Sequence, residues 1–306
     1  MPANRSQLRN VHFYDVSRSE EPLGGLYLNP SVSVRKFFRM LNMVVHASCP
    51  YRVSLRGSES PLIPTDEPLV PGQYDIVCDS PGGILNDCSF YDKKNMLTDE
   101  RCIARTYSST VSTTSNRRFR DEVRKRDGKC VITGIVNPVA FIDEWTTFES
   151  VHIFLLSHEE LFTSMNYCRY VTYMSGETDR AINSCQNGLL MRSQIHKQFD
   201  SFSFSIDPDD NYKITCFRVD MDGIDGRFLD PVCRIPTDNR KVVDEFLRWH
   251  FRQAVLANMK GPGEPIFESD FPDGSDMVGE ILGGPRAADR MEAELFSRLN
   301  SVESLS

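Results

Sequence analysis

Six apolar residues, Val34, Phe37, Phe38, Leu41, Val44 and Val45, recur at the spacing of one helix face. The segments around them, residues 10–16, 24–28, 50–57 and 68–78, alternate or cluster apolar residues as strands do. Ser31 or Ser33 supplies the helix N-cap. An amphipathic helix must bury its stripe against another layer, and the order strand, strand, helix, strand, loop, strand predicts a small β-grasp-like unit.

The chain has 306 residues, enough for two domains or one elaborated one. Hydrophobic residues are 40% and charged ones 25%, the balance of an ordinary globular protein that needs no disulfide. A formal charge of −8 argues against a whole-surface attraction to nucleic acid, while a local basic patch stays open. No apolar run reaches the ~18 residues of a membrane span. The opening MPANRSQLRN lacks an apolar signal region. The expected setting is therefore intracellular, in cytoplasm or nucleus, with no membrane partner. Nine cysteines without a CxxC pair predict reduced, mostly buried thiols rather than a disulfide framework or a thiolate zinc site.

From Ser80 the chain is mixed in character; residues 100–107 read as a strand and the polar 109–116 as a linker or exposed loop. Residues 117–130 predict a helix closed by Gly128. That segment carries seven basic and three acidic residues, a local +4 that is either a solvated face or a phosphate-contacting one. Residues 240–261 predict a long amphipathic helix with Val243, Phe246, Leu247, His250, Val255 and Leu256 near one face. Its apolar face needs a partner, either the rest of the fold or a second copy in a homodimer. Residues 262–277 read as an extended loop and 284–301 as a closing helix.

Three ordered segments hold the candidate chemistry. The first is KCVITG at 129–134 with FESVHIFLLSH at 148–158, and the second is INSCQNGLLMRSQIHKQFDSFSFSID at 182–207. The third is RWHFRQAVLANMKGPGE with DFPDGSDM and GPRAADRMEAELFSRL, toward the C-terminus. Together they resemble the HNH endonuclease family, particularly fungal members of the CVITG type, over roughly residues 117–300. The resemblance implies an α+β chain: a β-rich, β-grasp-like N-terminal domain at 1–108, then an elaborated ββα-metal, HNH-like domain at 117–306 with long C-terminal helices.

The resemblance further implies His152 as the general base that takes a proton from attacking water. It implies Asn187 as the residue that fixes the loop and helps hold that base, and His196 as a ligand of Mg²⁺ or another divalent metal. Read without the family, Asn187–Gly188 is equally a type I′ turn, and Phe199 anchors the short helix in the core. His158, beside Glu159 and Glu160, is either a helix-start residue near the site or a loop residue. His12, His46 and His250 read as structural or surface residues.

One position departs from the pattern. Active members of the family commonly have an acidic ligand next to the base histidine, where this chain has Val151. Glu149 shares the face of Val151 on a strand, opposite His152. Asp200 shares the face of His196 on a helix. Both are candidate replacement ligands, giving a metal set of His196, Glu149 and Asp200.

The expected function is a metal-dependent HNH-type nuclease that hydrolyses phosphodiester bonds in DNA. An alternative keeps the fold without metal, as an enzyme for acid-base or cyclisation chemistry on a small organic substrate lodged among Phe148, Phe154, Phe199 and Phe202. A catalytically silent interaction module is the third reading.

Overall fold

The computed structural model describes residues 4–16, 20–47, 50–58, 60–78, 96–103, 114–176, 179–265, 270–272, 274–288, 290–292 and 294–295. In the N-terminal part, β1 (Val11–Asp15), β2 (Gly24–Leu26), β3 (Tyr51–Leu55) and β4 (Gly72–Cys78) form a sheet in the order β2-β1-β4-β3. The central pair β1 and β4 is parallel, and the outer pairs are antiparallel. Helix α1 (Val34–Val44) lies between β2 and β3 in sequence and buries Phe37, Met40 and Leu41 in one core with Phe13, Val53 and Tyr74. Ser33 caps it by accepting a hydrogen bond from the Lys36 N–H. This is the β-grasp-like arrangement that the spacing predicts.

The second part starts with α2 (Thr114–Asp127), which ends at Gly128 with φ +64°. A left-handed residue there stops the helix at no steric cost to glycine. Strands β5 (Phe148–His152) and β6 (Gly188–Arg192) pair antiparallel from Phe148 opposite Arg192 to His152 opposite Gly188. Between them lies a long connection that contains α3 (Glu159–Ser164). Helix α4 (Ser193–Asp200) follows β6 directly, which completes a ββα unit. A second ribbon, β7 (Phe204–Asp207) and β8 (Lys213–Cys216), comes next. The chain is thus α+β, with a mixed sheet first and a ββα-type region after it.

Helix α5 (Asp244–Met259) joins the two parts. Its first turns place Phe246, Leu247 and Trp249 in the core of the ββα region. Its later turns place Phe251, Ala254, Val255, Leu256 and Met259 in the core of the N-terminal sheet. The apolar surface that would have called for a homodimer is therefore covered within the chain, and it gives no ground for a dimer.

Several local expectations change. Helix α2 starts at Thr114, so 114–116 are helical rather than linker, and 109–113 lie outside the described residues. Residues 100–103 are irregular rather than strand, and 104–107 lie outside the described residues. The 262–277 segment ends in a helix α6 (Met277–Leu282) that its Gly- and Asp-rich sequence hides. Helical residues recur between 287 and 295, and the rest of the closing helix, 296–301, lies outside the described residues. Asn187–Gly188 is no hairpin turn, because Asn187 ends a 3-10 turn and Gly188 is extended at φ −135°. All seven cysteines among the described residues are free thiols.

Candidate functional site

Alternation along β5 sends its side chains to two sides. Ser150 and His152 face α2. The Ser150 hydroxyl donates to the Arg120 carbonyl at 3.1 Å, and the His152 ring stacks on Phe119 with centroids 3.8 Å apart. Glu149 and the buried Val151 take the other side, where the Glu149 carboxylate meets His196 Nδ1 on α4.

His152 is half-buried, and its Nε2 lies 3.1 Å from the Asn183 side-chain oxygen. Asn183 ends a buried 3-10 turn, Ala181–Asn183, just before the one that carries Asn187. The Asn187 side chain clamps backbone rather than the base histidine. Its Oδ1 accepts from the Phe154 N–H at 2.8 Å, and its Nδ2 donates to the carbonyls of Phe154 and Ile182 at 2.8 and 2.9 Å. The loop-fixing part of the expectation for Asn187 matches this geometry, and the contact to His152 belongs to Asn183. The sequence carried only a faint signal for Asn183, a second asparagine four positions upstream.

On the opposite side, His196 lies between two carboxylates. Nδ1 meets Glu149, and Nε2 lies 2.9 Å from an Asp200 oxygen one helical turn on. Burial lowers the pKa of His196, but the hydrogen bonds to Asp200 and Glu149 outweigh it and raise the value to about 9. The ring is therefore an imidazolium that donates from both nitrogens at neutral pH. Its bond to Glu149 holds that carboxyl below the usual range against partial burial. Glu149 and Asp200 thus come to His196 as strand and helix parity predict.

The donor chemistry of these three residues suits a hard divalent cation. As they are arranged, each ring nitrogen of His196 is turned to a carboxylate, so an ion would have to displace the ring proton. Among the described residues no group of three His, Cys, Asp or Glu side chains is set to hold a metal ion. The expected metal set is a proton-filled cluster as it stands.

Two further expectations are corrected by packing. The aromatics assigned to a small-molecule pocket are closed core: Phe154 stacks on Trp249 at 4.0 Å, Phe199 stacks on His250 at 3.6 Å, and Phe148 and Phe202 are buried. His250 ties α5 to this region, since the Ser205 hydroxyl lies 2.7 Å from its Nδ1. His158 is fully buried where α3 starts, so of its two readings the helix-start one describes it and the loop one does not.

The basic helix is also less basic than its sequence. Arg118 pairs with Asp179, Arg120 with Asp121, Arg126 with Asp127, and Lys129 with Asp230. Arg124 stacks over Trp145 at 4.8 Å. Asp179 and Asp230 come from outside the segment, so the local excess of +4 falls to about +2, and long-range attraction of a polyanion weakens accordingly. Arg126 is buried and donates to the carbonyls of Cys185, Gly188 and Arg240, fastening α2 to the base of β6.

Residues 130–207 match the HNH endonuclease family, and residues 8–83 match a domain of unknown function (DUF8573). These spans cover the ββα unit and the β-grasp-like sheet. No curated protein and no solved structure matches the chain. Among the described residues no helix is long and apolar enough to cross a membrane. The chain contains an HNH-endonuclease domain, similar to that family in the segment that holds His152, Asn187 and His196.

Proposed function

We propose that the HNH domain hydrolyses phosphodiester bonds in DNA, with His152 as general base, Asn187 as the clamp of the loop beside it, and the His196 cluster as the site of charge control. The observation that carries this reading is the ordered ββα unit itself. It has a histidine at the end of its first strand, a buried asparagine before its second and a histidine on the helix, within the span that matches the family. A neutral imidazole takes a proton from water as the water oxygen bonds to phosphorus. The bond from phosphorus to the leaving oxygen then breaks with its electron pair.

The second strand-side cluster sets the requirement for that step. One imidazolium between two carboxylates leaves a net charge of −1, which repels a phosphodiester. Cleavage there needs a counter-charge, so divalent-ion binding is the deciding property. The exposed α2 residues Arg117 and Lys125 are cations that can contact the DNA backbone.

The test pairs ion titration with plasmid nicking. Metal-stripped protein is titrated by calorimetry with Mg²⁺, Mn²⁺ and Zn²⁺, with His196→Ala as control, and the same samples are assayed for nicking. Micromolar binding lost in His196→Ala, with nicking lost in His152→Ala, supports the reading. No binding at millimolar ion and no nicking sinks it. The aromatics that the small-substrate alternative would use are packed in the core.

A further inference from the structure

We infer that Asn183 is the positioning residue of the base, fixing His152 as the tautomer with its proton on Nε2 and its lone pair on Nδ1. The inference rests on the nuclease reading for the identity of the reaction, but the tautomer stands on geometry alone. The Asn183 side-chain oxygen lies 3.1 Å from Nε2. An amide oxygen can only accept, so the neutral ring must donate from Nε2. A neutral imidazole carries one N–H, which leaves Nδ1 as the basic atom.

The surroundings make Asn183 a rigid acceptor. It is 1% exposed, and its own N–H donates to the Arg180 carbonyl at 2.9 Å. The turn before it is tied to Asn187, whose amide donates to the Ile182 carbonyl at 2.9 Å. The Ser184 N–H closes the same turn on Ala181 at 3.0 Å. Stacking on Phe119, with planes 11° apart, fixes the ring's tilt, and the Asn183 oxygen at 3.1 Å marks Nε2 as the nitrogen that donates. The two asparagines act in series: Asn187 holds the backbone, and Asn183 reads the ring.

In the reaction, the water proton goes to Nδ1 of His152 while the water oxygen forms its bond to phosphorus. The leaving oxygen departs with the electron pair of its broken bond and takes a proton from solvent, and His152 returns its own proton to water. A ring with its proton on Nδ1 would present a donor to the attacking water and could not accept.

The experiment reads the tautomer directly, on full-length ¹⁵N-labelled protein at a pH where the ring is neutral. His152 is assigned by loss of its signals in His152→Gln. The expected result is a protonated Nε2 and an unprotonated Nδ1 in the wild type and in Asn183→Asp, whose carboxylate also accepts. In Asn183→Leu the two tautomers should mix. In the nicking assay Asn183→Leu should lose about 10²-fold in kcat with KM little changed, the size of a general-base contribution. Asn183→Asp should recover most of that loss.

A wild-type ring protonated on Nδ1 overturns the inference. So does an Asn183→Leu protein with wild-type tautomer and kcat. If Asn183→Leu does not fold, the spectra of wild type and Asn183→Asp decide. Absence of nicking in the wild type, together with the expected spectra, would end the nuclease reading and leave the assignment of Asn183 standing.

Discussion

His196 concentrates the electrostatics of the site in one ring. Its pKa is raised to about 9, against about 6.5 for an unfolded histidine, because two carboxylates accept its protons. A base whose folded pKa is raised contributes stability that is fully present below the unfolded value and is lost as pH rises through the folded one. In chelator-treated buffer the His196 ring should titrate with a midpoint near 9, followed by NMR. The urea-midpoint gap between wild type and His196→Gln should close between pH ~6.5 and ~9; a gap that is constant over that window would contradict the imidazolium assignment. Asn187 gives a second test at this scale. Asn187→Ala strips partners from the Phe154 N–H and from the carbonyls of Phe154 and Ile182, all at a fully buried side chain. Buried unpaired groups cost about 1–3 kcal/mol each, so a loss near 3 kcal/mol is expected in urea unfolding. Sequence parity was enough to bring Glu149 and Asp200 toward His196, because strand and helix periods determine direction. Asn183 was not legible in the same way, because its contact depends on where an irregular turn of the long β5–β6 connection comes to rest.

At the scale of elements, α2 does more than present charge. Gly188 opens β6 directly beneath it, and a Cβ there would come within 2.6 Å of Phe119 and Val123 side-chain atoms. Those contacts force the Phe119 and Val123 side chains, or α2 with them, to shift, so Gly188→Ala should cost about 1–3 kcal/mol and should also shift the His152 ring resonances as the Phe119 stack is disturbed. An unchanged His152 spectrum would show that α2 does not hold the ring. The buried pair at the end of the helix is the second fastening. Asp127 accepts from Arg126 at 2.6 Å and from the Leu190 N–H at 2.8 Å. Removing it leaves Arg126 a buried, uncompensated cation, and Asp127→Ala should lose about 3–5 kcal/mol by denaturant titration. The helix itself was readable from residues 117–130, down to its glycine stop. Its charge was not, because Asp179 and Asp230 are distant in sequence and neutralise it only after folding. The N-terminal elements were read nearly to their ends because each has a single clear period, whereas the strand expected at 100–107 rested on composition without one.

At the scale of the whole molecule, α5 makes one structure of two cores. Trp249 packs in the ββα region and Phe251, two residues later, packs beneath the N-terminal sheet. Charged contacts across the same junction reinforce it. Lys36 of α1 donates to Thr215 Oγ1 at 2.6 Å and pairs with Asp210 at 2.9 Å. Arg5 pairs with Asp270 at 2.9 Å and donates to Asn258 of α5 at 3.0 Å. A helix shared in this way passes the loss of either core to the other, so thermal unfolding should be one transition. Val255→Asp is the sharp test. It puts a carboxylate into the N-terminal core at a fully buried position. If α5 couples the parts, hydrogen exchange in this variant should quicken together in α1 and β1 and in β7, which packs on the same helix. Faster exchange confined to α1 and β1, with β7 as protected as in the wild type, would show two independently stable units and would make the HNH region the part to express alone. With coupling, the site on α4 depends on α5 through the His250 stack on Phe199, and any cleavage activity should fall in step with the fraction folded rather than at a temperature of its own.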